Sequence, residues 1–191
     1  MYNIPEQLEF CPQNIEWNGY VNKPENNNQY VKLARDTRKQ LLKTIAPWIK
    51  LYSLPTKYFV LDEQNAELLY LVELKTEFIK SYTAISQLKV WRNRVRIETQ
   101  GLASEIFFAH ILPSADLVIS DGEHTADGRA FWQLRVAVAF AQGLNVYLCD
   151  LNHKTFLKLD TVEDFGRNAP KYYSDEYKFR AYRLAISTKP L

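Results

Sequence analysis

A short glycine turn between a strand and a helix is the part of this sequence best suited to chemistry. The turn follows the strand-like run 87–93 and precedes a helical pattern that ends at Pro113. Glycine lets the backbone approach a ligand closely, and the first amides of a helix lie unpaired at the positive end of its dipole. The turn therefore predicts an anion site with a phosphate group as ligand. Its residues are Gln100, Gly101, Leu102 and Ala103, and Arg96 lies just before it.

A glutamate on a predicted strand supplies a candidate general base. Glu73 belongs to the run VELK, and a strand carboxylate beside a cleft can accept the proton of an attacking amine. The same residue also fits the solvent face of an ordinary strand. Both interpretations stay open on the sequence alone.

Basic side chains before the glycine turn predict contact with an acidic partner. Lys89, Arg92 and Arg94 alternate with Trp91 in this segment. Cationic and aromatic side chains together suit the phosphates and bases of a nucleic acid. Lysine and arginine on a solvated edge strand explain the segment equally well, because they discourage aggregation.

Composition limits the function classes. The net charge is +2, which is far from the basicity of a protein dedicated to coating DNA. Cys11 and Cys149 are the two cysteines, so a disulfide framework is not expected and a reducing cytoplasm fits. The sequence has neither a signal-peptide pattern nor an apolar run of membrane-spanning length, which predicts a soluble cytoplasmic protein without membrane contact. The acidic residues around His124 match no metal-ligand spacing, so we expect no metal site.

Hydrophobic patterning predicts an irregular arm over residues 1–29 and a single α+β domain over residues 30–191. From Tyr30 the apolar positions recur at helical spacing and predict a helix that extends to Ile49, with a kink or a second short helix at Pro47. The apolar face of that predicted helix consists of Val31, Ala34, Leu41, Leu42, Ile45 and Ile49.

The rest of the chain alternates between strand and helix patterns. Runs 57–62 and 68–75 predict a hairpin, and run 86–93 predicts a third strand. After the helix that ends at Pro113, run 116–120 predicts a short buried strand, and a further helix is closed by Gly143. Run 144–151 predicts a strand, and a loop rich in tyrosine and aspartate leads to a last strand over 179–187.

This order of elements, over roughly Tyr30 to Thr188, resembles the GNAT family of acyl-CoA-dependent acyltransferases. The family signature places Gln or Arg, two residues, Gly, one residue, and Gly or Ala between its fourth strand and the next helix, which aligns with residues 98–103. Gly101 and Ala103 match, and Gln100 and Arg96 stand near Glu98 as phosphate-facing groups. The resemblance implies a mixed, twisted sheet flanked by helices, whose fourth and fifth strands splay apart to admit the cofactor. The implied cofactor is acetyl-CoA or another acyl-CoA, bound at Arg96, Gln100, Gly101, Leu102 and Ala103.

The resemblance also implies roles for residues after the short buried strand. The segment that ends at Trp132 is similar to one that carries an aromatic pair beside the cofactor cleft in the family, which implies that Trp132 contacts the cofactor. A tyrosine protonates the leaving thiolate in many members, and Tyr147 is the nearest candidate here. The implied reaction is acyl transfer to an amine on a small molecule, a protein or an aminoacyl-RNA, in a protein that could form a homodimer.

Two alternatives from other classes remain open. A GNAT-like protein without transferase chemistry could bind a partner through a tyrosine-rich surface. The spacing of Asp62, Glu73 and Lys75 also resembles the PD-(D/E)xK nucleases, which implies two carboxylates on a Mg²⁺ ion and a lysine beside the attacking water. The tyrosines of the binding alternative are Tyr172, Tyr173, Tyr177 and Tyr182.

Overall fold

The computed structural model describes residues 25–92, 97–121, 126–172 and 181–191, and these residues form an α+β fold. One helix precedes a run of five strands, and helices and further strands follow this run. In chain order the elements are α1 (Glu25–Arg35), β1 (Gln40–Ala46), β2 (Ile49–Leu54), β3 (Lys57–Asp62), β4 (Glu67–Ile79), β5 (Tyr82–Arg92), α2 (Leu102–Glu105), β6 (Leu117–Ile119), α3 (Ala126–Ala141), β7 (Asn145–Asp150), β8 (Thr155–Leu159), α4 (Val162–Tyr172) and β9 (Tyr182–Ser187).

The described strands form one mixed sheet in the order β1-β2-β3-β4-β5-β6-β9-β7-β8. Strands β1 to β4 are joined by antiparallel pairing, and β5 runs parallel to β6. The parallel pairing joins Ala84–Ser86 to Leu117–Ile119, and β5 then continues to Arg92. Strand β9 lies between β6 and β7 and is antiparallel to both. The predicted α+β class with a mixed sheet is confirmed.

The contacts within the chain divide it into two compact units. The N-terminal unit contains residues 25–75 and Gln87–Ile106, and the C-terminal unit contains Thr76–Ser86 and Phe107–Leu191. Strands β4 and β5 contribute residues to both units.

The N-terminal unit is built on antiparallel strands covered by α1. Leu33 of α1 packs against Tyr52, Phe59 and Leu61, which lie on neighbouring strands of this face. The predicted hairpin over 57–62 and 68–75 is confirmed, because β3 and β4 pair from Lys57 opposite Glu73 to Asp62 opposite Glu67.

The predicted long helix from Tyr30 to Ile49 is wrong. Helix α1 begins earlier, at Glu25, and ends at Arg35, and the remainder forms β1 and β2. Ala46 pairs with Ile49, so Pro47 and Trp48 form the tight turn between these strands. Proline fits a turn because it needs no amide donor. The apolar residues of a short run satisfy both helical and strand periods, so periodicity did not distinguish them.

The C-terminal unit has its core on the sheet formed by β6, β9, β7 and β8. Leu117, Ile119, Tyr147 and Cys149 pack together on one face of these strands. Burial, followed by the nearby Asp150 carboxylate, raises the pKa of the Cys149 thiol to about 11. Cys149 therefore has a packing role, since a buried neutral thiol behaves as a small apolar residue.

Helix α3 packs on β7 and ends before Gly143, whose positive φ of 68° closes the helix as the sequence predicts. Gly143 is thus a position where the left-handed conformation favours glycine. No helix among the described residues has the length and apolar character needed to cross a bilayer.

Helix α4 replaces part of the predicted loop. The hydroxyl of Thr161 accepts a hydrogen bond from the Asp164 amide at 3.0 Å, and the Asp164 carboxylate accepts one from the Thr161 amide at 3.2 Å. This reciprocal pair is a capping box, which satisfies amides at the start of a helix. Phe165 and Tyr172 bury the inner face of the helix with their ring centroids 5.4 Å apart.

A polar network fastens the β3–β4 turn of the N-terminal unit to β2. Glu63 accepts hydrogen bonds from the Lys50 ammonium at 2.5 Å and from the Tyr52 hydroxyl. These bonds lower the pKa of Glu63, although its partial burial acts in the opposite direction. Burial, and then the Glu63 contact, raises the pKa of Tyr52. Lys39 completes the network with its ammonium 5.4 Å from the Tyr52 ring centroid.

We expect Glu63→Gln to lower the free energy of unfolding by about 1 kcal/mol near neutral pH, because it removes charge-assisted hydrogen bonds that are partly exposed. The pKa of Glu63 is lower in the folded state, so the unfolded state binds more protons in the acid range. The stabilisation is complete above the unfolded pKa of about 4.3 and is lost as the pH falls through the lower folded value.

Urea unfolding of wild type and Glu63→Gln near neutral pH and near pH 3 checks this expectation. The two proteins should differ more in the first condition than in the second. Asp160→Asn is the control, since Asp160 forms an exposed pair with Lys158 at 3.2 Å. A Glu63→Gln effect that is equal at both pH values would contradict the assignment.

Candidate functional site

The glycine turn adopts the conformation that its predicted role requires. Gly101 has a φ of 74°, in the left-handed region, and precedes the first residue of α2. A Cβ atom added to Gly101 would meet no heavy atom within 4 Å. Glycine is therefore required by the backbone conformation, and the space beside its Cα is open.

The hydrogen bonds of the first helical turn begin at the Gly101 carbonyl. The amides of Ser104 and Glu105 donate to the Gly101 carbonyl at 2.9 and 3.0 Å, which is the ordinary first turn. The amides of Leu102 and Ala103 precede these bonds, and no side chain caps the turn. Unpaired amides at a helix start bind anions well.

The residues of the turn differ in burial: one is anchored in the core and the others are at least partly exposed. Leu102 is buried and fixes the turn to the core, whereas Gln100 and Gly101 are exposed and Ala103 is half-buried. Glu105 forms a salt bridge of 2.7 Å with Lys43 of β1. This pairing offsets the negative charge that Glu105 brings to the helix start.

Several predicted cationic contacts cannot be placed from the described structure. Arg94 and Arg96 lie outside the described residues. Lys89 and Arg92 belong to β5, but their side chains are outside the described part of the chain. The predicted nucleic-acid contact and the Arg96 contact with phosphate therefore stay predictions.

Glu73, the candidate base, forms a cross-strand ion pair. Its Oε1 lies 2.5 Å from the Lys57 ammonium, and the two residues are direct partners in the β3–β4 ladder. Both side chains are partly exposed. Lys57 therefore orients the Glu73 carboxylate. The Lys57 ammonium donates to Oε1 of this carboxylate.

The hairpin does not form the metal site that the nuclease spacing predicted. Asp62 pairs with Glu67 at one end of the β3–β4 ladder, and Glu73 pairs with Lys57 at the other. Five strand residues separate the two positions, a distance of about 16 Å at about 3.3 Å per residue. Carboxylates that far apart cannot share one Mg²⁺ ion. The Asp62 carboxylate instead accepts the amides of Gln64 and Asn65, both at 3.1 Å.

No group of three or more His, Cys, Asp or Glu side chains with metal-binding geometry occurs within the described ranges. The loop around His124 is outside these ranges.

Trp132, the residue that the resemblance placed beside a cofactor, packs in an aromatic cluster of the C-terminal unit. Its ring lies 5.7 Å from Phe107 at 89° and 6.1 Å from Phe131 at 78°, both edge-to-face. Arg135 lies in the same cluster, with its guanidinium carbon 4.2 Å from the Phe131 ring centroid, and it is only 2% exposed. Cation–π attraction stabilises a desolvated arginine in this position.

The chain leaves ordinary α-helical geometry next to this cluster. After α2 the helical segment continues as a π-helix over Ile106–Ile111 and a 3₁₀ turn over Leu112–Ser114. Pro113 ends it at the predicted position. A π-helix, with hydrogen bonds between residues i and i+5, is rare, and this one contains the fully buried Phe107.

Tyr147, the candidate acid, lies on β7 with its side chain buried. Its hydroxyl oxygen accepts a hydrogen bond from the Leu191 amide at 3.0 Å. The ring packs edge-on against Phe156 with a centroid distance of 6.1 Å. These contacts give Tyr147 a packing role that the sequence did not predict.

The predicted site residues divide between the two units. Glu73 and the turn residues 100–103 belong to the N-terminal unit. Tyr147 and Trp132 belong to the C-terminal unit.

Gln87 is a polar residue whose burial the sequence did not predict. It lies on β5, is 4% exposed, and belongs to the N-terminal unit. Neither its Nε2 nor its Oε1 has a hydrogen-bond partner among the described residues. An unsatisfied buried polar group costs about 1–3 kcal/mol. No pattern in the sequence indicates this burial, since an isolated glutamine in a strand-like run is typical of a solvent-facing position.

Comparison of the chain with protein-family models, with curated proteins and with solved structures gives no match to any of the three. The geometry of the chain itself therefore carries the functional argument.

Proposed function

We propose that this protein transfers an acyl group from an acyl-CoA to an amine acceptor. The observation that carries the proposal is the turn at Gly101, where a left-handed glycine opens a helix whose first amides have no side-chain cap. Those amides suit the diphosphate of a coenzyme A ligand, because they combine donors with the positive end of the helix dipole.

The order of elements supports the same proposal. A hairpin, a further strand, the glycine turn, a helical segment, a strand, a helix and later strands follow one another in the order that the GNAT resemblance implies. Strands β1 and β2 stand where the resemblance implies helix, so the turn follows the fifth strand and not the fourth. Strand β5 runs parallel to β6, and it extends beyond its last β6 partner before the chain reaches the turn. The turn thus follows the kind of strand that precedes the cofactor turn in the resemblance.

Within this proposal the residues of the N-terminal unit have distinct roles. The amides of Leu102 and Ala103 hold the diphosphate, and Gln100 lies exposed beside them. The bound thioester supplies the activated acyl carbon. Glu73 is the candidate to accept the proton of the attacking amine, with Lys57 fixing its carboxylate. We assign Tyr147 and Trp132 to the core of the C-terminal unit and give them no chemical step.

Isothermal titration calorimetry of the wild-type protein with acetyl-CoA tests the proposal. We expect binding of one acetyl-CoA per chain with a Kd between about 1 μM and 1 mM, and we expect inorganic pyrophosphate to compete for the site. An absence of binding at millimolar acetyl-CoA would refute the function. Binding without release of free coenzyme A in the presence of amine acceptors would favour the binding protein without transferase chemistry.

A further inference from the structure

The buried side chain of Gln87 is not explained by packing. Most buried side chains on the described strands of the N-terminal unit are apolar, such as Leu69, Leu71 and Val72, and the buried carboxylate of Asp62 accepts hydrogen bonds from backbone amides. An apolar residue would fill the position of Gln87 without leaving a polar group unsatisfied. The carboxamide therefore lowers stability where it stands, which is common for residues retained for binding.

The chemistry of a carboxamide restricts what can bind it. Nε2 of Gln87 carries two donors and Oε1 is an acceptor, and neither atom has a partner in the described part of the chain. A carboxylate would leave Oε1 without a donor, and an ammonium ion would leave Nε2 without an acceptor. A group that offers a carbonyl and an N–H side by side satisfies both, and an amide has this pattern.

We propose that Gln87 is the polar contact of an internal binding site in the N-terminal unit and that it binds an amide group of the ligand. The proposal rests on the proposed acyl transfer, because coenzyme A and peptide-like amine acceptors both carry amides. Gln87 lies five residues before the end of β5 at Arg92, about 16 Å along the strand. Gln87 is therefore distant from the end of β5 that leads to the glycine turn. This position suits contact with the reacting end of a ligand whose diphosphate is bound at that turn.

The test compares wild type with Gln87→Leu, which keeps the size of the side chain and removes both hydrogen-bonding atoms. We expect Gln87→Leu to raise the melting temperature, because the buried amide is lost. We also expect loss of about tenfold in one of two measurements. The first is the Kd of acetyl-CoA by calorimetry, and the second is the preference for glycinamide over ethylamine as acceptor in acetyl transfer from acetyl-CoA.

The two measurements identify the source of the amide. A weaker acetyl-CoA affinity places the cofactor's amide on Gln87, and an unchanged affinity with loss of the glycinamide preference places the acceptor's amide there. Gln64→Leu is the matched control, since Gln64 is exposed in the β3–β4 turn and should change neither value.

Several results would overturn the proposal. A lower melting temperature for Gln87→Leu would mean that protein or internal water already satisfies the amide. An unchanged affinity together with an unchanged acceptor preference would overturn it while leaving the acyltransferase function intact. A wild-type protein that does not bind acetyl-CoA would refute the function itself, and this inference with it.

Discussion

Replacement of Gly101 by glutamate should weaken acetyl-CoA binding by about 30-fold or more, which corresponds to about 2 kcal/mol. The added carboxylate would stand at the start of α2, beside the amides proposed to hold the diphosphate. Space for it exists, because no heavy atom lies within 4 Å of an added Cβ. The loss of affinity would come from repulsion between the carboxylate and the diphosphate and from competition for the same amides.

Gly101→Asn is the matched control for this experiment. Any side chain at a φ of 74° introduces strain of about 1–2 kcal/mol, but asparagine tolerates the left-handed region better than most residues. The asparagine variant therefore adds a neutral side chain to the same turn and should keep most of the affinity. Calorimetry with acetyl-CoA and thermal unfolding of each variant separate the loss of binding from the loss of fold. Equal acetyl-CoA affinities for the glutamate and asparagine variants would contradict the proposal that the diphosphate binds at this turn.

Replacement of Trp132 by alanine should lower the free energy of unfolding by about 3–5 kcal/mol, the range for a large buried aromatic residue. The indole is 3% exposed and meets Phe107 and Phe131 edge-to-face. Its removal would leave a cavity and would also expose the apolar surroundings of Arg135. Urea unfolding followed by far-ultraviolet circular dichroism measures the loss.

Leu134→Ala is the control for the tryptophan variant, because Leu134 lies on the same helix but is 55% exposed. We expect its effect to stay within about 0.5 kcal/mol. A loss below about 1 kcal/mol for Trp132→Ala would contradict the packing role of the indole. Trp132→Phe distinguishes a packing role from a ligand contact. Phenylalanine retains most of the aromatic packing, so we expect this variant to leave the acetyl-CoA affinity unchanged.

Local patterns were sufficient where one residue type decides the backbone. Gly101 and Gly143 both adopt the positive φ that their predicted turns require, and Pro113 ends its helical segment. The hairpin of β3 and β4 was predictable because two strand-like runs flank a short polar turn. The capping box of Thr161 and Asp164 was also visible in the sequence, although it was overlooked there.

Periodicity failed where tertiary partners choose the conformation. Residues 40–49 satisfy a helical apolar pattern, yet they form β1 and the start of β2, because β1 pairs with β2 and β2 pairs with β3, which gives their backbone groups partners. The apolar residues of β2 are buried by this arrangement, whereas β1 stays largely exposed. Strand propensity depends on such neighbours more than helix propensity does.

Asp62 and Glu73 fit the spacing of the PD-(D/E)xK motif, but the strand register places them at opposite ends of the β3–β4 hairpin. Spacing along a chain fixes contact only when both residues lie within one element or one tight turn.

The sequence by itself determined the α+β class, the glycine turn and the helix and strand ends set by glycine and proline, because these depend on local backbone sterics. Only the tertiary structure decided that β5 lies parallel to β6, that Trp132 and Tyr147 belong to a packed core, and that Gln87 is buried without a partner among the residues that the structure describes. Burial and register depend on residues far apart in the chain, and no local pattern contains them.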